Sequence, residues 1–191
     1  MDVDNQNCPV DKYLAQTRLF DELVQASDWV FLGDSITNAG RWGELFPSKR
    51  VANRGIDGDT IVGMLGRLDS VLATEPDTVF LLAGINDIAQ DRTPERIMES
   101  YRKVVDTLTK QGVRVVLQST ILTNNPDWNQ SVDKLNGLIE ELARSQGLTL
   151  IDLNSLFAER GTIKSEATFD GVHLQGDMYL QWRDKLLAEA V

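Results

Sequence analysis

His173 is the only histidine in the 191-residue sequence, and Asp170 stands three residues before it. A carboxylate bonded to one imidazole nitrogen fixes the tautomer and stabilises the imidazolium as it forms. The other nitrogen is then free to take a proton from a serine, whose hydroxyl is a weak nucleophile until a base does so. Ser35 is the hydroxyl on offer. It ends the triplet Gly33-Asp34-Ser35, directly after an apolar run, and the glycine permits a tight turn that exposes it. Acyl transfer also needs N–H donors aimed at the developing oxyanion. Gly58, in Asn53-Arg54-Gly55-Ile56-Asp57-Gly58-Asp59-Thr60, can present its backbone N–H near a helix start. Asn86, in Ala83-Gly84-Ile85-Asn86-Asp87, can present a side-chain amide.

Each of these residues also has an ordinary structural reading. Asp34 or Ser35 can cap a short helix. Asp170 can cap the last helix. The glycine-bearing loop can be a plain strand–helix turn, and Asn86 or Asp87 can bond the local backbone. The argument for chemistry rests on how the rest of the chain positions all of them.

Short apolar runs alternate with helical patterns. Trp29-Val30-Phe31-Leu32, Asp77 to Ala83, Val113 to Leu117 and Leu148 to Ile151 read as strands buried on both faces, with Arg50 to Asn53 a weaker fifth. Between them, Ile61, Leu65, Leu68 and Leu72 recur at helical spacing after an Asp59 cap candidate. Ile97, Tyr101, Val104, Val105 and Leu108 do so after Thr93-Pro94, a cap followed by a proline suited to the first helical position. Val132, Leu135, Leu138, Ile139 and Leu142 form a third stripe, and Tyr179, Trp182, Leu186 and Leu187 a last one from about Gln175. Gly112 and Gly147 serve as stops. A helix over roughly Asp11 to Ala26 precedes the first strand. This alternation predicts a three-layer α/β/α fold around a central parallel, flavodoxin-like sheet, built as one domain over residues 1–191. Ligands of such sheets bind beyond the C-terminal ends of the strands, where Ser35 and Asn86 both fall.

The composition narrows the chemistry. At 42% hydrophobic and 25% charged, with five prolines and no repeat, the chain suits a single soluble core. A net charge of -10 argues against nucleic acid and anionic membrane surfaces as partners. One cysteine, Cys8, and one histidine exclude an internal disulfide and nearly exclude the usual zinc sites, and no Asp-rich loop has calcium spacing. A carboxylate-only metal site stays open on composition alone. No apolar run approaches a membrane span, and the N-terminal residues lack the basic start and apolar stretch of a secretory signal, so the chain reads as cytoplasmic; a signal removed upstream would make it secreted or periplasmic.

The four segments together resemble the SGNH/GDSL hydrolase family, named for Ser, Gly, Asn and His in four sequence blocks. Gly33-Asp34-Ser35 is similar to the first block, Asn53 to Thr60 to the second, Gly84-Ile85-Asn86-Asp87 to the third and Asp170-Gly171-Val172-His173 to the last. Asn53-Arg54-Gly55-Ile56 and Asp170 to Leu174 resemble the platelet-activating-factor acetylhydrolase-like and lysophospholipase-like branch. Ile36, Ile85 and Leu174 depart from the usual leucine, glycine or threonine, and proline. The resemblance implies a cofactor-free esterase acting on a small ester. Ser35, His173 and Asp170 would form the triad, and the Ser35 and Gly58 N–H groups and the Asn86 amide the oxyanion hole, with Gly58 preferred over Gly55 by alignment to the motif. Short acyl esters fit best; O-acetylated carbohydrates and thioesters are the alternatives.

Trp42 and Trp128, on loops spanning 37–49 and 120–130, can stack on a sugar or line an acyl pocket, and can equally be packing residues. Asp34 and Ile85, beside Ser35 and Asn86, are the other candidate substrate contacts. Trp29 and Trp182 are expected in the core. Two other classes stay in view. A binding domain that has lost catalysis would usually lack one of the functional groups, and none is missing here. A flavodoxin-like electron carrier would need a Ser/Thr-rich phosphate loop after the first strand, of which Ser35-Ile36-Thr37-Asn38 is a thin version.

Overall fold

A computed structural model describes residues 10–190 of the protein; Cys8 lies outside them. Five strands form a parallel sheet: β1 (Trp29–Gly33), β2 (Val51–Gly55), β3 (Thr78–Leu81), β4 (Arg114–Gln118) and β5 (Thr149–Ile151). Their spatial order is β2-β1-β3-β4-β5. This is the doubly wound, flavodoxin-like arrangement that the alternation of elements predicts. The order reverses between β1 and β3, which opens a crevice beyond their C-terminal ends.

The strands are apolar on both faces because both faces are covered. Side chains alternate along each strand. Val30, Leu32, Val79, Leu81, Val115 and Leu117 pack on one face. Against them lie α4 (Ile61–Gly66), α5 (Leu68–Leu72), α7 (Pro94–Lys110) and α8 (Pro126–Gln146). Trp29, Phe31, Phe80, Val116 and Ile151 pack on the other face, under α3 (Trp42–Leu45), α9 (Asn154–Phe157) and α10 (Met178–Glu189). Trp182 is fully buried there, with its indole N–H donating to Gln118 Oε1 at 2.7 Å. The first helix, α1 (Val10–Glu22), brings Tyr13 and Phe20 against Ile56.

The helix signals act where the sequence puts them, with two exceptions. The Thr93 hydroxyl accepts from Arg96 N with Pro94 in the first turn, and Gly147 closes α8 in the left-handed region. However, Thr60, not Asp59, caps α4, accepting from Gly63 N. Asp59 is buried and paired with the guanidinium of Arg67 at 2.8 Å. The stripe from Ile61 to Leu72 is also two helices rather than one. The chain breaks at Arg67, which donates to Gly33 O and Arg54 O and so ties the break to the ends of β1 and β2. A short hairpin, β6 (Ala158–Glu159) with β7 (Thr162–Ile163), follows α9 and has no clear sequence signal at two residues per strand. No helix among the described residues is long and apolar enough to cross a membrane.

Candidate active site

The sheet delivers its functional residues from three strand ends. Register pairs Gly33 with Gly55 and Leu32 with Leu81, so β1, β2 and β3 finish level. Ser35 opens α2 (Ser35–Asn38) two residues beyond the end of β1. Its helix is set by Asp34, whose carboxylate accepts from Ile36 N at 3.0 Å. The far end of α2 is clamped by Asn53, whose amide donates to Thr37 O, Asn38 O and Gly40 O. Tyr179 on α10 donates to Ile36 O at 2.7 Å. The serine therefore sits on a turn held from β2 and from α10.

His173 arrives from a separate turn. Asp170 Oδ1 accepts from the backbone N–H groups of Val172 and His173 at 2.9 and 2.8 Å. Its other oxygen lies 2.6 Å from His173 Nδ1. A carboxylate only accepts, so Nδ1 carries the proton and Nε2 is left as acceptor. Ser35 Oγ is 2.8 Å from Nε2. Burial raises the Asp170 pKa, but the His173 and Val172 N–H bonds and the imidazole outweigh it and hold the carboxyl below its ordinary value. Asp170 stands eight residues before α10 and caps nothing there. Gly171 makes the turn possible. Its φ is +91°, and a Cβ would collide with the Asn124 side chain.

Gly58 and Asn86 face the same cleft as Ser35 and His173, a space of about 540 Å³. Gly58 adopts φ +75° in the loop between β2 and α4. Asn86 lies in α6 (Ile85–Ala89), and its amide donates to Asp59 O at 2.9 Å. An amide NH2 has two donors, so one is fixed on the Gly58 loop and one remains for a ligand. The loop is tied back a second time, because Ile61 N donates to Asp87 Oδ2 at 3.0 Å. Gly55, the rival of Gly58, has its N–H engaged by Asn53 Oδ1 at 2.9 Å.

None of the four candidate substrate contacts lines this cleft. Trp42 is 1% exposed, stacked on Phe31 at 3.8 Å, and its indole N–H donates to Thr37 O. It braces α2 from below. Trp128 is half-buried against the core and borders a different depression, with Arg92 and Asp127. Ile85 faces the hydrophobic core from α6. Asp34 is buried as the cap of α2, and burial pushes its carboxyl up to about 7, tempered by the Ile36 N–H and reinforced by repulsion from Asp59 and Asp87. Sequence reasoning overlooked Asp57 and Phe169, which do line the cleft. Asp57 sits inside the second motif segment, one residue before Gly58, and Phe169 immediately precedes the last, one residue before Asp170.

A doubly wound parallel sheet carrying serine, imidazole and carboxylate in hydrogen-bonded series at its switch point has the build of an acyl hydrolase. The chain belongs to the GDSL-like lipase/acylhydrolase family, whose model matches residues 31–180. Among curated proteins it is similar to platelet-activating factor acetylhydrolase IB subunit alpha2 of Homo sapiens, 27% identical over 183 residues, covering 88% of this chain and 79% of that protein. It is also similar to N-acylneuraminate cytidylyltransferase of Streptococcus agalactiae, 25% identical over 122 residues, or 61% of this chain. That match spans only 29% of the cytidylyltransferase's length. Among solved structures, a GDSL-like lipase from Bacteroides thetaiotaomicron superimposes with a TM-score of 0.82 over 92% of this chain and 95% of that one, at 22% identity, a likeness of fold.

Proposed function

We propose that this chain is a single-domain serine esterase that cleaves short acyl esters of small alcohols. The observation that carries the reading is the series Ser35 Oγ, His173 Nε2, His173 Nδ1, Asp170 Oδ2, with spacings of 2.8 and 2.6 Å, opening on a cleft shared with Gly58 and Asn86. In this scheme Ser35 Oγ attacks the acyl carbonyl as His173 Nε2 takes its proton. The resulting oxyanion is held by the N–H groups of Ser35 and Gly58 and by the Asn86 amide. His173 then gives the proton to the departing alkoxide, leaving an acyl-serine. Water attacks that ester with His173 again as base, and the acid leaves as Ser35 recovers its proton. Asp170 stays ionised throughout and stabilises the imidazolium.

The test is hydrolysis of a p-nitrophenyl ester series, acetate through palmitate, by wild type and Ser35→Ala. Turnover with an optimum at short chains that vanishes in Ser35→Ala is expected. A serine-reactive fluorophosphonate should label wild type and not the variant. Equal turnover by the two proteins would refute the scheme.

A further inference from the structure

Phe169 is a large apolar side chain that is 65% exposed. Its ring lies 5.9 Å from the imidazole of His173, with the two planes 14° apart. It borders the catalytic cleft and also a neighbouring depression of about 430 Å³ lined by Asn124, Ile163 and Ser165. The turn beneath it is firmly built. Thr168 Oγ1 donates to His173 O at 2.6 Å, Gly171 N donates to Thr168 Oγ1 at 2.9 Å, and Asn124 N donates to Gly171 O at 2.9 Å. The phenyl ring is thus held out into solvent, beside the catalytic imidazole, by a rigid support.

The direction of proton transfer decides which half of an ester meets it. In the scheme above, on which this inference rests, His173 returns its proton to the leaving oxygen. That oxygen must come within hydrogen-bond reach of Nε2, so its substituent departs along the imidazole side of the cleft, where Phe169 stands. The two carboxylates lining the cleft are already engaged, Asp57 by Lys12 and Asn38, and Asp170 by His173. A cationic alcohol therefore finds its counter-ions already taken, and an anionic one meets two carboxylates. We propose that Phe169 is a specificity-determining residue, a platform for the alcohol half of the substrate, and that it selects uncharged alcohols with a flat, ring-shaped apolar face.

Acetates of fixed acyl group and varied alcohol test this with wild type, Phe169→Ala, Phe169→Tyr and Ser35→Ala. For benzyl and cyclohexyl acetate, Phe169→Ala should lower kcat/KM about tenfold, mostly through KM, and Phe169→Tyr should restore it. Ethyl acetate should change by no more than about twofold, since it offers the ring little to cover. Benzyl acetate bearing a para-trimethylammonium group should be a poorer wild-type substrate than benzyl acetate. Equal losses on every ester would reduce Phe169 to a support for His173, and no loss on any would remove the contact; either overturns the platform. A charged benzyl ester as good as the neutral one would overturn the selection for uncharged alcohols. Activity that survives Ser35→Ala, or a wild type inert on every ester, would overturn the hydrolase scheme as well. Activity lost in Ser35→Ala but indifferent to Phe169→Ala overturns the platform alone.

Discussion

Asn86 donates one amide N–H to Asp59 O and keeps a second for the cleft. In the proposed scheme, replacing it with alanine removes an oxyanion donor, and it also removes the tie to Asp59 O beside Gly58. Asn86→Ala should lower kcat by about 10²–10³-fold with a smaller change in KM, measured on p-nitrophenyl acetate. Asp170→Asn keeps an oxygen for the Val172 and His173 N–H groups but favours the wrong imidazole tautomer. Its kcat should fall by about 10⁴-fold with the fold intact by circular dichroism, and wild-type activity would remove its orienting role. The sequence could place Ser35, Gly58 and Asn86 together because they follow β1, β2 and β3, and a parallel sheet gathers its strand ends on one rim. Asp170 and His173 come from the turn before α10, which no strand announces, and only the Asp-x-x-His spacing and the motif marked them. Trp42 carried no such mark. Its neighbours Phe31 and Trp182 come from β1 and α10, and nothing in its own loop distinguishes a ring stacked inward from one offered to a ligand. Phe169 escaped notice for the converse reason: an isolated phenylalanine usually reads as core.

At the level of elements, the strands and long helices follow from periodicity, whereas the irregular segments follow from long-range polar bonds that no local pattern announces. The break between α4 and α5 is the clearest case. Apolar spacing runs through it, yet Arg67 there serves Asp59, Gly33 O and Arg54 O at once, 2% exposed at its side chain. Its partner Asp59 carries the carbonyl that fixes Asn86, so this buried pair reaches the site through one peptide. Arg67→Ala leaves the Asp59 carboxylate buried without its guanidinium and removes a donor from Gly33 O and from Arg54 O. It should cost about 3–5 kcal/mol in urea-melt stability. Arg67→Lys keeps the charge but not the fork, and should recover only part of that loss. If Arg67→Ala melted like wild type, the pair would not be what fixes the α4–α5 break.

Across the whole molecule, the site sits above buried acid. Asp34 directly follows β1 and Asp87 lies in α6, the helix after β3; they are 1% and 0% exposed. Burial lifts their carboxyls to about 7 and about 6, from an ordinary value of 3.8. In Asp34 the Ile36 N–H opposes the rise without cancelling it, as the Ile61 N–H and Arg92 do in Asp87. Between about pH 4 and pH 7 the folded protein holds a proton on Asp34 that the unfolded chain has released. Folding then takes up a proton, so stability falls as pH rises through that window and levels off above it. The contribution of Asp34 is on the order of a few kcal/mol, present in full below the unfolded pKa and lost by about pH 8. Other carboxylates that are paired in the fold, such as Asp170, work in the opposite sense at lower pH, so the slope of the wild type alone does not isolate Asp34. Asp34→Asn does isolate it, because asparagine offers the same oxygen to Ile36 N and cannot ionise. Thermal melts at intervals from pH 5 to pH 8 should show wild-type Tm falling more steeply than that of Asp34→Asn, with the variant the more stable of the two at pH 8. Parallel curves would mean that Asp34 is ionised in the fold throughout this range, and that the ground beneath Ser35 carries charge at neutral pH.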